Sequence, residues 1–417
     1  MKIKNLLKTL NFLQYFVWGA WLITIASYFF SLNWTPSQFG IIYSTIGISA
    51  IGFPSFFGFL TDKYFKLEEV FKRLHLLSGL VMFTFPFINS VSVFFWLMLL
   101  YMILYMSTIP MLISYSYQSL IENGLDVKLE YPKIRVWGTI GFVAALWVVS
   151  LTNNETSVNQ FYISGVASIA LFVFGFFIPN TETKAASSKQ NFLKVLGLDT
   201  LSLLTNNKLY PFFILCFFFG IALIISNGYT DAFIHDLKET KNISKYIFQY
   251  PAIIVSFSQI CEIFFILLMP FLLKRFSTKT IIIISFFAWF LRFFLLYIFS
   301  YSGIFFIILS SCMFYGIAFD FFIIAGSLYL EENSNKEMRG SVQGMFVMVV
   351  NGFGSLFGSL ASGFLIENYF TNANTTKDWK SIWLFFAVLM LIIVFPYLFI
   401  GLKNMRFKNF KQVNKVL

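Results

Sequence analysis

Few side chains in this sequence could do chemistry, and the ones that could sit where they are costly. Asp320 stands in YGIAFDFFIIAG, inside an apolar run that begins near Ile304 and ends only at Glu331 and Glu332. About 20 apolar residues cross the hydrocarbon core of a bilayer. An ionisable group at that depth costs at least ~2.5 kcal/mol, which marks a substrate or proton path. The other reading is a buried structural acid bonded to a neighbouring helix. Tyr315 and Phe319 precede Asp320 and are expected on roughly the same helical face, where carboxylate, phenol and flat ring would make a pocket wall. Of the 19 acidic residues only Glu262 and Asp320 are expected deep inside apolar runs. Gln259, three residues before Glu262, shares its helical face, and an amide beside a carboxylate suits a polyhydroxylated or heterocyclic solute.

Two cations accompany these acids. Arg292, in SFFAWFLRFF, lies about twelve residues into its run and could either pair statically with Glu262 or Asp320 or serve the transport path. Arg135, in IRVWGTIGF, sits in the first turns of its run and could snorkel to the membrane surface. With Thr139 and Phe142 it forms one stripe at spacings of four and three. SNGYTD supplies Asn227 and Tyr229, and the first run offers Gln14, Trp18 and Trp21 at helical spacing, where a membrane-facing Trp is the plainer alternative.

The elements that must hold these residues are legible from composition. The chain has 417 residues, 58% hydrophobic and only 12% charged, with mean hydropathy +0.76. A soluble domain carries about 25% charged residues, so this is an all-α polytopic membrane protein. Apolar runs lie near 10–30, 40–60, 74–92, 94–118, 133–151, 160–178, 210–234, 246–273, 280–300, 303–329, 340–366 and 381–402. They predict twelve transmembrane helices in two six-helix repeats. Residues 1–179 form the first bundle, 180–209 a polar linker containing TETKAASSKQ, 210–402 the second bundle, and 403–417 a basic tail.

Loop charge sets the orientation. Of the 30 Lys and Arg, 23 fall on the side of the termini and five (Lys238, Lys241, Lys245, Lys377, Lys380) on the opposite side. The positive-inside rule therefore places both termini and the linker in the cytoplasm, and accounts for the net charge of +11 without nucleic acid. The basic tail is expected against anionic lipid. No G-x-x-x-x-G-K-[ST] occurs, the two histidines (His75, His235) stand near run ends, and the three cysteines lie in apolar runs. No metal site, nucleotide hydrolysis, cofactor or enzyme activity is expected.

GFLTDKYF after the second run and PFLLKRFSTK after the eighth occupy matching places in the two halves. Parallel six-span repeats around a mid-membrane site are the build of major facilitator transporters, and Gly58-x-x-x-Asp62-Lys63 resembles the short loop motif of that superfamily; Asp62 by this motif and Arg292 by its depth are candidates for a gating or structural role. Gly340-x-x-x-Gly344 and Gly354-x-x-x-Gly358 are expected at close helix–helix contacts.

With these residues in view, the chain resembles the nucleoside:H+ symporter family of the major facilitator superfamily. FLQYFVWGAWLITIASYFF, IRVWGTIGF, GLD at Gly197–Asp199, SQICE, AWFLRF, YGIAFDFF and QGMFVMVVNGFG follow in family order, essentially end to end. The resemblance implies proton-coupled nucleoside import, driven by the gradient alone, by a monomer in a bacterial inner membrane. It implies a pocket drawn from Arg135, Thr139, Phe142, Asn227, Gln259, Glu262, Tyr315, Phe319 and Asp320, with Asp320 and Glu262 coupling the proton. Phe142 and Phe319 would stack on the base, and Gln259, Asn227 and Arg135 would bind ribose hydroxyls or base edges. Ile224 and Ile323 stand where the family tends to have Gln and Asn, which would make the pocket more apolar and its recognition broader. A transporter of another polar solute such as a sugar, and a non-transporting sensor of the same fold, are the alternatives.

Overall fold

A computed structural model describes residues 3–179, 198–205, 209–240, 248–335 and 338–404. Most of the 180–209 linker and nearly all of the 403–417 tail lie outside the described residues; the linker's Leu198–Thr205 forms a short 3-10 helix.

Eleven helices among the described residues are long and apolar enough to cross a membrane. They are α2 (Pro36–Lys63), α3 (Leu67–Phe87), α4 (Val91–Glu122), α5 (Leu129–Leu151), α6 (Asn159–Phe177), α7 (Tyr210–Lys238), α8 (Pro251–Arg275), α9 (Thr278–Ser302), α10 (Phe305–Glu332), α11 (Arg339–Tyr369) and α12 (Trp379–Pro396). The twelfth span is the N-terminal one, α1, which runs Ile3–Gly19 and resumes at Ile25–Ser31. Hydrogen-bonded turns bridge the interruption, with the Leu22 N–H on the Trp18 carbonyl at 3.1 Å and the Ile25 N–H on the Trp21 carbonyl at 2.9 Å.

Local sequence explains several ends. Thr35 and Gln38 form a reciprocal capping box at the start of α2, followed by Pro36 at the first helical position. Ser277 caps α9 by accepting from the Thr280 N–H, and Gly303 closes that helix at φ 65°. Over Met348–Gly354 the ladder of α11 widens into a π-helical stretch, a distortion that often accompanies a functional site.

The first six spans pack mainly on one another, as do the last six, α1 lying along α5 and α9 against both α10 and α12. Close approach depends on missing side chains. A Cβ on Gly141 would stand 2.0 Å from the Phe12 carbonyl oxygen, and one on Gly19 2.6 Å from that of Phe142, so α1 and α5 touch backbone to backbone. The two halves meet at the span ends remote from the termini. There a Cβ on Gly40 would fall 2.5 Å from the Ser359 oxygen and one on Gly363 2.6 Å from the Pro36 oxygen. Ser37 N–H donates to Glu367 at 2.8 Å across the same seam.

The small-residue expectation holds for only part of α11. Gly354 and Gly358 pack on Gly220, Phe217 and Ile221 of α7, whereas Gly340 and Gly344 have nothing within 4 Å of an added Cβ. The last two lie at the terminus side of α11, where an added Cβ would meet open space among the described residues. Gly58, in the loop motif, also faces open space, and Asp62 beside it is exposed.

Candidate functional site

Between the halves lies a cavity of ≈ 290 Å³. The first half lines it with Tyr15, Trp18 and Leu22 of α1, Tyr43 and Ile46 of α2, Met106 and Ile109 of α4, and Arg135, Thr139 and Phe142 of α5. The second half contributes Leu223, Ile224 and Asn227 of α7, Gln259 and Glu262 of α8, Tyr315 and Phe319 of α10, and Asn351 and Ser355 of α11. The helical stripes read from sequence therefore converge. Arg135, Thr139 and Phe142 present one face, Gln259 and Glu262 another, and Tyr315 with Phe319 a third.

Asp320 is the exception among the expected wall residues. One residue beyond Phe319 is about 100° around the helix, so while Tyr315 and Phe319 face the cavity, Asp320 turns into the protein behind it, only 3% exposed. It stays within electrostatic reach of Glu262 and Arg135, and its Oδ2 is buried without a hydrogen-bond partner among the described residues. Ile323 is likewise absent from the cavity lining, while Ile224 is part of it; of the two apolar replacements only Ile224 bears on the cavity.

The two arginines have different surroundings. Arg135 lies with its guanidinium 4.2 Å from the centroid of the Tyr15 ring, an attraction of about 0.5–2 kcal/mol. It faces the cavity instead of snorkelling. Gly138 makes room for this stack, since a Cβ there would come within 2.6 Å of Tyr15 and 2.9 Å of the Arg135 guanidinium. Arg292 is not paired with an acid among the described residues. Its Nε donates to Ser226 Oγ at 2.7 Å, one terminal nitrogen to the Ser311 carbonyl at 3.0 Å, and the other to Thr230 Oγ1 at 3.3 Å. Its guanidinium also lies 4.8 Å from the Tyr315 ring centroid. Hydroxyl and carbonyl dipoles stabilise this buried cation, and it braces α7, α9 and α10 behind Tyr315.

Polar groups at the wall have unused capacity. Tyr315 donates to Asn227 Oδ1 at 3.1 Å, which fixes the amide between two cavity helices. Gln259 Oε1 and Trp18 Nε1 are buried without partners among the described residues. An unsatisfied buried donor or acceptor costs about 1–3 kcal/mol, and both side chains belong to the cavity wall. The Tyr315 and Phe319 rings are nearly parallel, 4° apart at 6.1 Å, and Phe142 forms part of the opposite half's wall.

Sequence reasoning separated the first-span candidates poorly. Trp18 lines the cavity, but Gln14 is buried, donating to Thr108 at 2.8 Å and bonding His75 at 3.0 Å, and Trp21 donates to Tyr101 at 3.2 Å. Tyr229 is likewise buried, packed edge-on against Phe39. Tyr15, Tyr43, Asn351 and Ser355 were missed. Tyr15 could have been found, standing three residues before Trp18 on one helical face. Asn351 could not, because the π-helical stretch that turns it inward has no plain sequence signal. Sequence reasoning also passed over two buried acids at the remote span ends: Asp231 is fully buried near the end of α7, and Glu155, in the α5–α6 connection, is 5% exposed.

A twelve-span fold of two six-helix halves, closed over a central cavity lined from both, defines a secondary transporter of the major facilitator type. The family model described as "Nucleoside H+ symporter" matches residues 1–406. The xanthosine permease of Escherichia coli K12 is 38% identical over 408 residues, covering 97% of this chain and 96% of the permease. The nucleoside permease NupG of the same organism is 36% identical over 405 residues, covering 95% and 96%. The crystal structure of nucleoside transporter NupG superposes with a TM-score of 0.87 at 36% identity, covering 95% of this chain and 98% of that one. The chain belongs to the nucleoside H+ symporter family.

Proposed function

We propose that this protein imports nucleosides together with protons across a bacterial inner membrane, both termini being cytoplasmic, and that the central cavity is the binding site. The observation that carries this reading is the composition of the cavity wall. It joins flat rings (Phe142, Phe319, Tyr315) to an unpartnered amide oxygen (Gln259), an amide held in place (Asn227), and Glu262 beside Arg135. A nucleoside has one flat heterocycle and one polyhydroxylated sugar, and this wall offers a surface for each. Stacking on a base is worth about 1–3 kcal/mol and tolerates different bases.

Glu262 at the wall and Asp320 behind it carry the proton, with Arg135 the cation that both acids sense. Contact at the remote ends and open space at Gly58, Gly340 and Gly344 correspond to a state facing the side of the termini. The basic loops make that side the cytoplasm. Residues 1–179 and 210–402 rock as two units about the cavity, which one chain lines by itself, so a monomer suffices.

Uptake of labelled uridine into proteoliposomes with an imposed inward proton gradient tests the proposal. Accumulation above the external concentration is expected, collapsing when a protonophore is added. Equal uptake with and without the gradient would refute the coupling, and accumulation of a labelled sugar in place of uridine would refute the substrate.

A further inference from the structure

The sequence offered no metal cluster, because the relevant ligands come from separated segments. At the remote ends of the spans, Glu155, Asp231 and His235 each present a ligand atom within 4.8 Å of the others. Asp231 and His235 are four apart on α7, hence on one helical face. Glu155 reaches them from the α5–α6 connection of the other half. His235 Nε2 is 2.7 Å from a Glu155 oxygen and 3.8 Å from Asp231 Oδ2.

We propose that these three side chains form a binding site for a zinc-class divalent cation that clamps the two halves together on the face remote from the termini. The donor set is one imidazole and two carboxylates, which suits a borderline transition cation, whereas magnesium and calcium prefer oxygen donors alone. With bonds of about 2.1 Å, tetrahedral ligands stand roughly 3.4 Å apart, between the 2.7 and 3.8 Å that separate His235 from the two carboxylates, and a water would take the fourth position. Buried charges are normally paired or coordinate metals, and here two carboxylates share a single imidazole. A dication balances them.

Three further features fit. Asp231 is fully buried, and its Oδ1 has no partner among the described residues, although Oδ2 accepts from Ser27 of the other half. The Glu155 carboxylate is held by the Ser150 hydroxyl and by the Ala252 N–H, at 3.0 Å, at the start of α8. Such outer hydrogen bonds orient metal-ligating carboxylates. The His235 side chain is 19% exposed, which leaves a way in for an ion from water. In the metal-free protein the same groups join the halves by hydrogen bonds. Because Glu155 belongs to one half and Asp231 and His235 to the other, an ion bound to all three favours the remotely closed state over the opened one.

The test is equilibrium dialysis of the purified full-length protein against zinc chloride with magnesium in excess. About one zinc per chain is expected, with affinity falling at least tenfold in both His235→Ala and Glu155→Gln. A wild-type protein that binds no zinc above background overturns the site, as does zinc binding that persists in both variants. Uridine binding without zinc verifies that each variant is folded, since neither residue touches the cavity. The clamp, unlike the metal site, rests on the proposed transport cycle. Zinc added on the remote face of proteoliposomes should slow uridine uptake by the wild type and leave His235→Ala unaffected. Zinc that binds as predicted but slows both equally, or neither, overturns the clamp while leaving the site standing.

Discussion

Two pairs of carboxylates, one at mid-membrane and one at the remote face, are held in opposite ways. Glu262 and Asp320 have few direct partners. Their nearest cation, Arg135, lies over the Tyr15 ring, and an Asp320 oxygen is unbonded. Glu155 is bonded by Ser150, Ala252 and His235 and one Asp231 oxygen by Ser27, and most of those bonds cross from one half to the other. Free hydrogen-bonding capacity at the first pair lets it respond to a ligand or a proton. Used capacity at the second turns its chemistry into contact between the halves. Burial alone therefore does not separate the two pairs; how far their oxygens are engaged in bonds between the halves does.

The sharpest way to break this comparison is to neutralise one acid from each pair. Glu262→Gln and Asp320→Asn should each abolish gradient-driven accumulation of uridine in proteoliposomes while leaving counterflow between equal concentrations measurable. Asp231→Asn should change the rate of uptake yet keep its dependence on the gradient. If Asp231→Asn lost that dependence and Asp320→Asn kept it, the roles assigned to the two pairs would be reversed.

The next effect concerns the cavity wall. Phe319→Ala should weaken binding of every nucleoside by about 1–3 kcal/mol, read by calorimetric titration. Gln259→Ala should reorder the nucleosides instead, because it removes an amide whose oxygen has no protein partner.

The remote seam should respond to added volume. Gly40→Val places methyl groups where a Cβ alone already falls 2.5 Å from the Ser359 oxygen. Overpacking of this kind costs about 1–3 kcal/mol, and here it falls on the closed state. A cysteine introduced at Ser27, beside Asp231, should then react faster with an impermeant thiol reagent applied from the remote face. An unchanged rate would mean that the seam does not open there.

The smallest effect is on specificity. Ile224→Gln restores an amide at the cavity wall and should tighten binding and sharpen discrimination among nucleosides by about 0.5–1.5 kcal/mol, the net worth of one hydrogen bond. Ile323→Asn should leave the ranking unchanged, since that side chain does not line the cavity.

Much of this molecule was legible in its sequence. Twelve apolar runs, helical spacing within each, and a few charges among uncharged neighbours gave the spans and most of the cavity stripes. That reading works because a membrane helix satisfies its own backbone, so its length and faces follow from local sequence. Residue types and spacing thus determined that Arg135, Thr139 and Phe142 share a face, as do Gln259 and Glu262. Only tertiary structure decided which faces look at one another. It turned Asp320 behind the wall, gave Arg292 hydroxyl and carbonyl partners in place of a carboxylate, and brought Asn351 inward on a π-helical stretch. It also joined Glu155 to Asp231 and His235 across about eighty residues of chain. The physical reason is that helical periodicity fixes directions within one helix, whereas contacts between helices depend on where backbones can approach. In this protein that is set by glycines such as Gly19, Gly141, Gly40 and Gly363, whose partners lie far away in the chain.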